Sequence, residues 1–277
     1  MIAATIIFLA CALCAIMTIA WLVAGWTGRS GWIDTIWSYA VGLCGVAAAL
    51  LPIGAQGQIG VRQWLVAGLA ALWSLRLGSH IAARTLRGGE DPRYRQLREK
   101  WGEEARKRLF WFLQIQAAAA FLLVVTIMIA AHRPGAVPGY PDLLGLAIFA
   151  IALVGEAVAD RQLARFGADP KNRGHVCDRG LWAYSRHPNY FFEWLVWVAF
   201  ATIAIDSSGS YIIGWFAFAG PVFIYWLLVH ISGIPPLEAH MLRSRGKDFR
   251  HYQQRVNVFW PGPRHATTKC DDGPLRS

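Results

Sequence analysis

The feature that most constrains this chain is a series of seven long apolar segments. A helix that crosses a bilayer needs about 20 mostly apolar residues. The segments that approach or meet this length are 2–26, 32–53, 63–83, 110–131, 143–160, 190–205 and 211–231. Only 16% of the residues are charged, whereas a soluble domain has about a quarter. The sequence therefore predicts an all-α integral membrane protein with seven transmembrane helices.

The distribution of positive charge predicts how these helices are oriented. Of the 27 Lys and Arg residues, 24 fall in the loops and the tail on one side of the predicted helices. Arg62 and Arg133 lie on the other side, and Arg76 lies within a helix. Since cytoplasmic loops of membrane proteins carry an excess of Lys and Arg, we expect the N-terminus outside and the C-terminus in the cytoplasm. The net charge of +10 is then explained without nucleic-acid binding.

The predicted organisation is one transmembrane domain over residues 1–261, followed by a flexible polar tail over residues 262–277. Loops and chain ends rich in polar residues, Gly and Pro are commonly mobile. All the long polar loops fall on the predicted cytoplasmic side. A transporter or a purely structural membrane protein would not account for this asymmetry, so we expect an enzyme with a cytoplasmic site.

Three ionisable residues at predicted membrane depth are candidates for catalysis, because such groups are costly in a bilayer and are often functional. Asp34 begins the second helix, where it is either an N-cap-like residue or a buried acid that donates a proton. Arg76 and His80 lie four residues apart on one face of the third helix. Arg76 is deep enough to pair with Asp34, although such a stripe can also extend to the membrane surface. Trp37 lies close to Asp34 on the same face of the second helix.

The strongest cluster of polar residues lies where the sixth helix begins. Pro188 suits the first turn of a helix. Arg186 and His187 therefore precede a helix N-terminus, where backbone N–H groups attract anions. Asn189 and Glu193 follow on one face of that helix. Because Arg binds phosphate and the polar side chains bind sugar or amide groups, the cluster predicts a nucleotide site. A basic and aromatic membrane anchor is the alternative, but it leaves Asn189 and Glu193 unexplained.

The fifth helix places two carboxylates, Glu156 and Asp160, on one face. Like charges at this spacing repel each other, so we expect a cation or a ligand hydroxyl beside them. No further acidic ligand is close in sequence, and we therefore predict no metal site. Two cytoplasmic loops, 87–95 and 168–174, mix Gly, Pro, Asp and Arg and are expected to complete the nucleotide site. Neither contains a Rossmann or Walker motif.

Together these motifs resemble the membrane-bound steroid 5-alpha-reductase family and its bacterial relatives. The resemblance covers residues 32–263. It rests on Tyr-Ser-Arg-His-Pro-Asn-Tyr at 184–190 with Glu193, and on Glu-Asp-Pro-Arg-Tyr at 90–94. The stretch 160–174, Pro-Pro-Leu-Glu at 235–238 and Asp34 with Trp37 also fit. The resemblance implies a seven-helix enzyme, expected in the bacterial inner membrane, that uses NADPH to reduce a carbon–carbon double bond conjugated to a ketone.

The resemblance also implies which residues form the site. Those that would surround NADPH share the positions of the family's cofactor motifs: Asp160, Arg165, Asn172, Arg173, Arg186, His187, Asn189, Tyr190, Glu193 and Glu238. Asp34 falls near the acid that, in the animal enzymes, helps to polarise the steroid ketone together with a tyrosine on the third helix. The third helix of this chain has no tyrosine. Arg76 and His80 occupy that neighbourhood and are therefore included with Asp34 as expected catalytic residues.

The substrate implied by the resemblance is a 3-oxo-4-ene steroid or a similar apolar enone that enters from the lipid. Trp37 is then expected to line its apolar cavity, and we expect a monomer. The alternative is an S-adenosylmethionine-dependent methyltransferase. Isoprenylcysteine carboxyl methyltransferases resemble the chain at 186–188, but they have two adjacent glutamates late in the tail. Here Glu238 is followed by Ala239, which favours the reductase.

Overall fold

The computed structural model describes residues 2–52, 58–88, 91–135, 137–206 and 208–265. Among them the regular structure is helical, without a β-strand. The α-helices are α1 (Ile2–Thr27), α2 (Gly31–Ala49), α3 (Val61–Leu86), α4 (Pro92–Trp101), α5 (Ala105–Ala131), α6 (Tyr140–Ala168), α7 (Pro188–Ala204), α8 (Ala219–Trp226) and α9 (Ile234–Arg255). Glu90 of the predicted cofactor loop and residues 266–277 of the predicted tail lie outside the described residues.

The described helices are those of a membrane protein. Six are long and apolar enough to cross a bilayer: Ala3–Thr27, Gly31–Ala49, Val61–Leu86, Arg93–Ala131, Tyr140–Ala168 and Ile212–Arg255. The predicted sixth span is also helical, as α7, but it has only 17 residues and would be about 26 Å long. The last of the six begins as a 3₁₀ helix, continues as α8 and passes through a π-helical turn, Leu227–Ile231.

Two helical segments extend beyond the spans predicted from hydropathy. Helix α6 continues to Ala168 rather than ending at residue 160, because an α-helix can extend into water once its apolar run has ended. This extension places Arg165 on the same helix as Asp160. Helix α9 begins at Ile234 with proline in its first turn, a position where the missing N–H is not needed. This helix places Glu238 in its second turn.

The described chain groups into two compact units. Unit 1 comprises Met1–Leu153 and Trp194–Leu227, and unit 2 comprises Val154–Glu193 and Leu228–Ser277. The single domain over residues 1–261 stays a prediction.

In unit 1, α2 packs closely against α3 because small residues lie at their contact. A Cβ atom added to Gly42 would lie 2.1 Å from the hydroxyl of Ser74, and that hydroxyl donates to the carbonyl of Ser38 at 3.0 Å. Small residues that let helix backbones approach are typical of membrane interfaces. A further buried contact joins Trp73 to Trp197, with ring centroids 5.1 Å apart.

A buried ion-pair network in unit 1 joins the ends of α3, α5 and α6. Arg62 donates through Nε and Nη2 to the two carboxylate oxygens of Asp142, at 2.9 Å each. Arg133 forms an ion pair with the same carboxylate, with Nη2 2.8 Å from Asp142 Oδ1. The geometry of this contact is not that of a hydrogen bond. All three side chains are almost fully buried. Arg62 and Arg133, the two positive charges on the sparsely charged side of the predicted helices, therefore have a structural role.

Unit 2 has its own small core, formed around Phe249 and Tyr252 on α9 and Val256, the residue that follows α9. The hydroxyl of Tyr252 donates to the carbonyl of Trp182 at 2.6 Å, and the Trp182 indole donates to the carbonyl of Ala159 on α6 at 3.0 Å. These bonds attach the loop before α7 to both α6 and α9. The fixed loop presents the residues at the start of α7.

Candidate functional site

The start of α7 carries a polar network centred on Glu238 of α9. Arg186 donates to both carboxylate oxygens of Glu238, from Nε at 2.7 Å and from Nη2 at 3.3 Å. The side-chain amide of Gln253 donates to the same carboxylate at 2.7 Å. His187 Nε2 lies 2.9 Å from Glu238 Oε1. The structure thus brings together three of the residues predicted to surround a nucleotide.

The guanidinium group of Arg186 is already hydrogen-bonded to other groups of the protein. Its Nη1 group donates to the backbone carbonyls of Gln253 and Val256, at 3.1 and 2.7 Å. Together with the two bonds to Glu238, these contacts use four of the five N–H donors of a guanidinium. The side chain is also only 11% exposed. Arg186 therefore fastens the start of α7 to α9, and this leaves little of it for the phosphate-binding role that the sequence suggested.

The two ring nitrogens of His187 have different surroundings. The side chain is buried and stacks on Tyr190 with a centroid distance of 5.5 Å. Burial lowers the pKa of His187 below its ordinary value, although the bond to Glu238 opposes this shift. In the neutral ring, Nε2 must carry the hydrogen because a carboxylate only accepts. Nδ1 is then an acceptor, and it has no hydrogen-bond partner among the described residues.

Asn189 supplies a second buried acceptor. Its Oδ1 atom is buried and has no hydrogen-bond partner in the described part of the chain. Buried polar atoms are seldom left unpaired, since each costs about 1–3 kcal/mol. Two such acceptors near one helix start fit a ligand that donates hydrogen bonds, such as ribose hydroxyls or a carboxamide NH₂. Glu193, predicted to share this face, is also buried on α7.

A cavity of about 670 Å³ lies in unit 2, within the size range of ligand sites. Among its lining residues are charged or titratable side chains from the 171–179 loop and from α9: Lys171, His175, Asp178, Arg179, Asp248, His251 and Arg255. Of the residues predicted from the sequence, Asn172 lines it. Tyr252 also lines the cavity and is in contact with the network at α7 through a longer bond to the carbonyl of Ser185, at 3.4 Å.

Sequence reasoning missed most of these cavity residues. The helical spacing of Asp248, His251 and Arg255 places them on one face of α9, a signal that could have been read from the sequence. That these residues line the same cavity as Lys171 and Arg179 could not have been predicted from the sequence. The remaining predicted residues, Asp160, Arg165 and Arg173, lie on or just after α6, with both arginines exposed.

A second polar cluster lies in unit 1 around Asp34. The hydroxyl of Tyr94 donates to Asp34 Oδ1 at 2.8 Å, and Arg93 Nη2 donates to Oδ2. Gln116 of α5 donates to the Tyr94 oxygen at 3.3 Å. Asp91 holds Arg93 in place, because it caps α4 by accepting from the Arg93 backbone N–H at 2.9 Å and pairs with its guanidinium at 3.0 Å.

The Asp34 cluster corrects two expectations. Ser30 holds the N-cap position of α2, so the N-cap reading of Asp34 is wrong. The described partners of Asp34 are Arg93 and Tyr94 rather than the expected Arg76. The segment after α3 folds back as α4 and brings these two residues to α2, which helical spacing within α3 could not reveal.

The other predicted catalytic and substrate residues also lie in unit 1. Arg76 is half-buried and His80 exposed on α3. Trp37 is half-buried and donates its indole N–H to the carbonyl of Gln116 at 3.1 Å, which leaves its ring faces for packing. Among the described residues, no group of three or more His, Cys, Asp or Glu side chains is placed to hold a metal.

Comparisons with known proteins identify a family and a relative of this chain. Residues 20–256 match the model of a family described as a protein of unknown function, DUF1295. The chain is also 28% identical to an uncharacterized protein of Schizosaccharomyces pombe, over 93% of this chain and 80% of the relative. Because the family match covers most of the chain, the protein belongs to DUF1295, a membrane family that is steroid 5-alpha-reductase-like.

Proposed function

We propose that the protein is an NADPH-dependent reductase of a conjugated carbon–carbon double bond, acting on a 3-oxo-4-ene steroid or a similar apolar enone. The observation that carries this proposal is the hydrogen bond between the buried Tyr94 and the half-buried Asp34. Reduction of an enone develops negative charge on the ketone oxygen, which needs a hydrogen-bond donor. Methyl transfer to a carboxylate, the alternative reaction, has no such need.

Tyr94 is the donor in this proposal. Its hydroxyl has one hydrogen, which is directed at Asp34 in the described structure. Rotation of the hydroxyl would turn this hydrogen toward a substrate oxygen, and Asp34 would remain balanced by Arg93. The Tyr94 side chain is 3% exposed, so water competes little with the substrate oxygen. Tyr94 takes the role that the resemblance had assigned to a third-helix tyrosine.

The cofactor is assigned to unit 2. The buried acceptors of His187 and Asn189 fit the hydroxyl and carboxamide donors of a nicotinamide dinucleotide, and Tyr190 and Glu193 lie beside them in the chain. Asp160, Arg165, Asn172 and Arg173 are retained as cofactor residues by resemblance. Arg186 and Glu238 act as positioning residues, because their side chains are hydrogen-bonded to each other and to neighbouring protein groups.

The overall reaction consumes one NADPH and one proton for each double bond reduced, and yields NADP⁺ and the saturated ketone. NADPH, when bound, supplies the hydride for the β carbon. The chain's own residues hold the cofactor, donate to the ketone oxygen and keep water away. The proton for the α carbon is drawn from the solvent through the donor.

The proposal includes a membrane topology with α7 as the seventh span, the N-terminus outside and the C-terminus in the cytoplasm. The charge asymmetry supports it, as does the tolerance of bilayers for spans of 17 residues. The cofactor site would then face the cytoplasm of a bacterial cell, and a monomer would take up its apolar substrate from the inner membrane. Reporter fusions at residues 135 and 265 test the orientation, because the two sites are expected on opposite sides.

The decisive experiment is NADPH oxidation by the purified protein in detergent, with testosterone as the first substrate. We expect Tyr94→Phe to lower turnover by about 10²-fold or more while NADPH still binds. Tyr140→Phe is the matched control, because Tyr140 is 77% exposed and should behave as wild type. Full turnover in Tyr94→Phe would remove Tyr94 as the donor. Binding of S-adenosylmethionine without any binding of NADPH would overturn the reductase and favour the methyltransferase.

A further inference from the structure

The buried ion-pair network at the ends of α3, α5 and α6 contains more positive than negative charge. Arg62 and Arg133 share one carboxylate, that of Asp142. The side chains of both arginines are 4% exposed, and that of Asp142 is 1% exposed. Arg133 forms no ion pair with any other acid in the described part of the chain. Because a buried charge without a partner is strongly unfavourable, the excess positive charge needs a counter-ion.

The hydrogen bonds of Asp142 are made with Arg62 rather than with Arg133. Arg62 donates to both carboxylate oxygens, and the backbone N–H of Gly139 donates to Oδ2 at 2.8 Å. Nε and Nη2 of Arg133 are buried and have no hydrogen-bond partner among the described residues. These two nitrogens form one edge of the guanidinium fork, so their N–H groups point to the same side. Buried donors of this kind commonly indicate an ordered water or an ion.

The groups beside this network do not supply the missing negative charge. The ring nitrogens of His132 lie 2.8 Å from the carbonyl oxygen of Met128 and 3.0 Å from that of Leu51. The side-chain amide of Gln63 donates to the carbonyls of Ala49 and Leu51, at 2.9 and 2.7 Å. Helices α3 and α6 begin at the network and α5 ends there, so two positive helix ends outweigh one negative end. The surroundings therefore favour an anion rather than a water molecule.

We propose that this network binds a small monovalent anion, chloride, and that the Nε and Nη2 edge of Arg133 is its main ligand. One singly charged anion would balance the two arginines and Asp142, and would accept from the donors that the protein leaves without a partner. Charge-assisted hydrogen bonds of this kind are stronger than neutral ones. The near-complete burial of all three side chains favours a small ion over a phospholipid headgroup. None of the residues assigned to the reduction takes part, so the inference does not depend on the proposed function.

The test follows the thermal unfolding of the full-length protein in a non-ionic detergent, while chloride replaces gluconate at constant ionic strength. We expect a saturable rise in the unfolding temperature. At a chloride concentration ten times the Kd, the unfolding equilibrium constant should fall about elevenfold, which corresponds to a rise of a few degrees. Arg133→Gln removes the excess charge and should abolish the dependence on chloride. Arg108→Gln is the matched control, because Arg108 is an exposed arginine paired with Glu104, and it should respond as wild type does.

A second variant and a second measurement keep the inference open to refutation. Arg133→Lys keeps the charge and should retain a chloride response, which excludes misfolding as the cause of the loss in Arg133→Gln. Crystals soaked in bromide should show an anomalous peak within hydrogen-bond distance of Arg133. An equal chloride response in wild type and Arg133→Gln would reveal a general salt effect and overturn the inference.

The absence of any saturable chloride response in the wild type would overturn the inference as well. Native mass spectrometry then identifies the counter-charge. A phospholipid that is retained by the wild type and lost from Arg133→Gln would assign the site to a headgroup phosphate instead of a small ion. Each of these outcomes leaves the proposed reductase activity unaffected, because that activity is measured separately by NADPH oxidation.

Discussion

Replacing Glu238 by alanine tests how much the network at the start of α7 contributes to the stability of the protein. The carboxylate accepts from Arg186 twice, from Gln253 once and from His187 once, over 2.7–3.3 Å. Its removal leaves an arginine that is 11% exposed without a counter-ion. Breaking a buried pair by removing one partner costs about 3–5 kcal/mol. Because Arg186 keeps two backbone carbonyls as acceptors, we expect a loss near the lower end, about 3 kcal/mol.

The assay is reversible unfolding in mixed detergent and SDS micelles, followed by tryptophan fluorescence. Glu104→Ala is the matched control. It breaks an ion pair with Arg108 at 2.6 Å in which both side chains are more than half exposed, so it should cost no more than about 0.5 kcal/mol. The double variant Arg186→Met with Glu238→Leu should be less destabilised than the sum of the two single variants. A loss below about 1 kcal/mol in Glu238→Ala would refute the view that Arg186 acts as a clamp.

Three further predictions concern other parts of the molecule. Asp142→Asn should lower the unfolding free energy by about 3–5 kcal/mol in the same assay, because it leaves two buried arginines unbalanced; Asp206→Asn, on an exposed loop, should cost much less. Gly42→Ala should destabilise by about 1–3 kcal/mol through overpacking, whereas Gly68→Ala, where an added Cβ has open space, should be neutral or slightly stabilising. Because the pKa of folded His187 lies below its ordinary value of 6.5, the unfolded chain takes up its proton first as the pH falls. Stability should therefore decrease as the pH is lowered below about 6.5, and His187→Gln should lessen this decrease.

Much of the architecture could be predicted from local sequence. Apolar runs of sufficient length determine where α1, α2, α3, α5 and α6 lie, because a backbone in lipid must satisfy its own hydrogen bonds. The position of Pro188 likewise predicted the start of α7, and the polar residues around it were recognised as a unit. These inferences succeeded because they depend on residues that are near one another in the chain.

The pairings that give the candidate sites their chemistry were decided by the tertiary structure. Asp34 and Tyr94 are 60 residues apart, and Arg186 and Glu238 are 52 apart. Nothing in helical periodicity indicates that α4 folds back onto α2 or that α9 returns to the start of α7. The sequence by itself therefore determined a helical membrane protein with a polar site. Only the packing decided that Arg186 is a clamp and Tyr94 a candidate donor, because each hydrogen bond needs its two partners in one place.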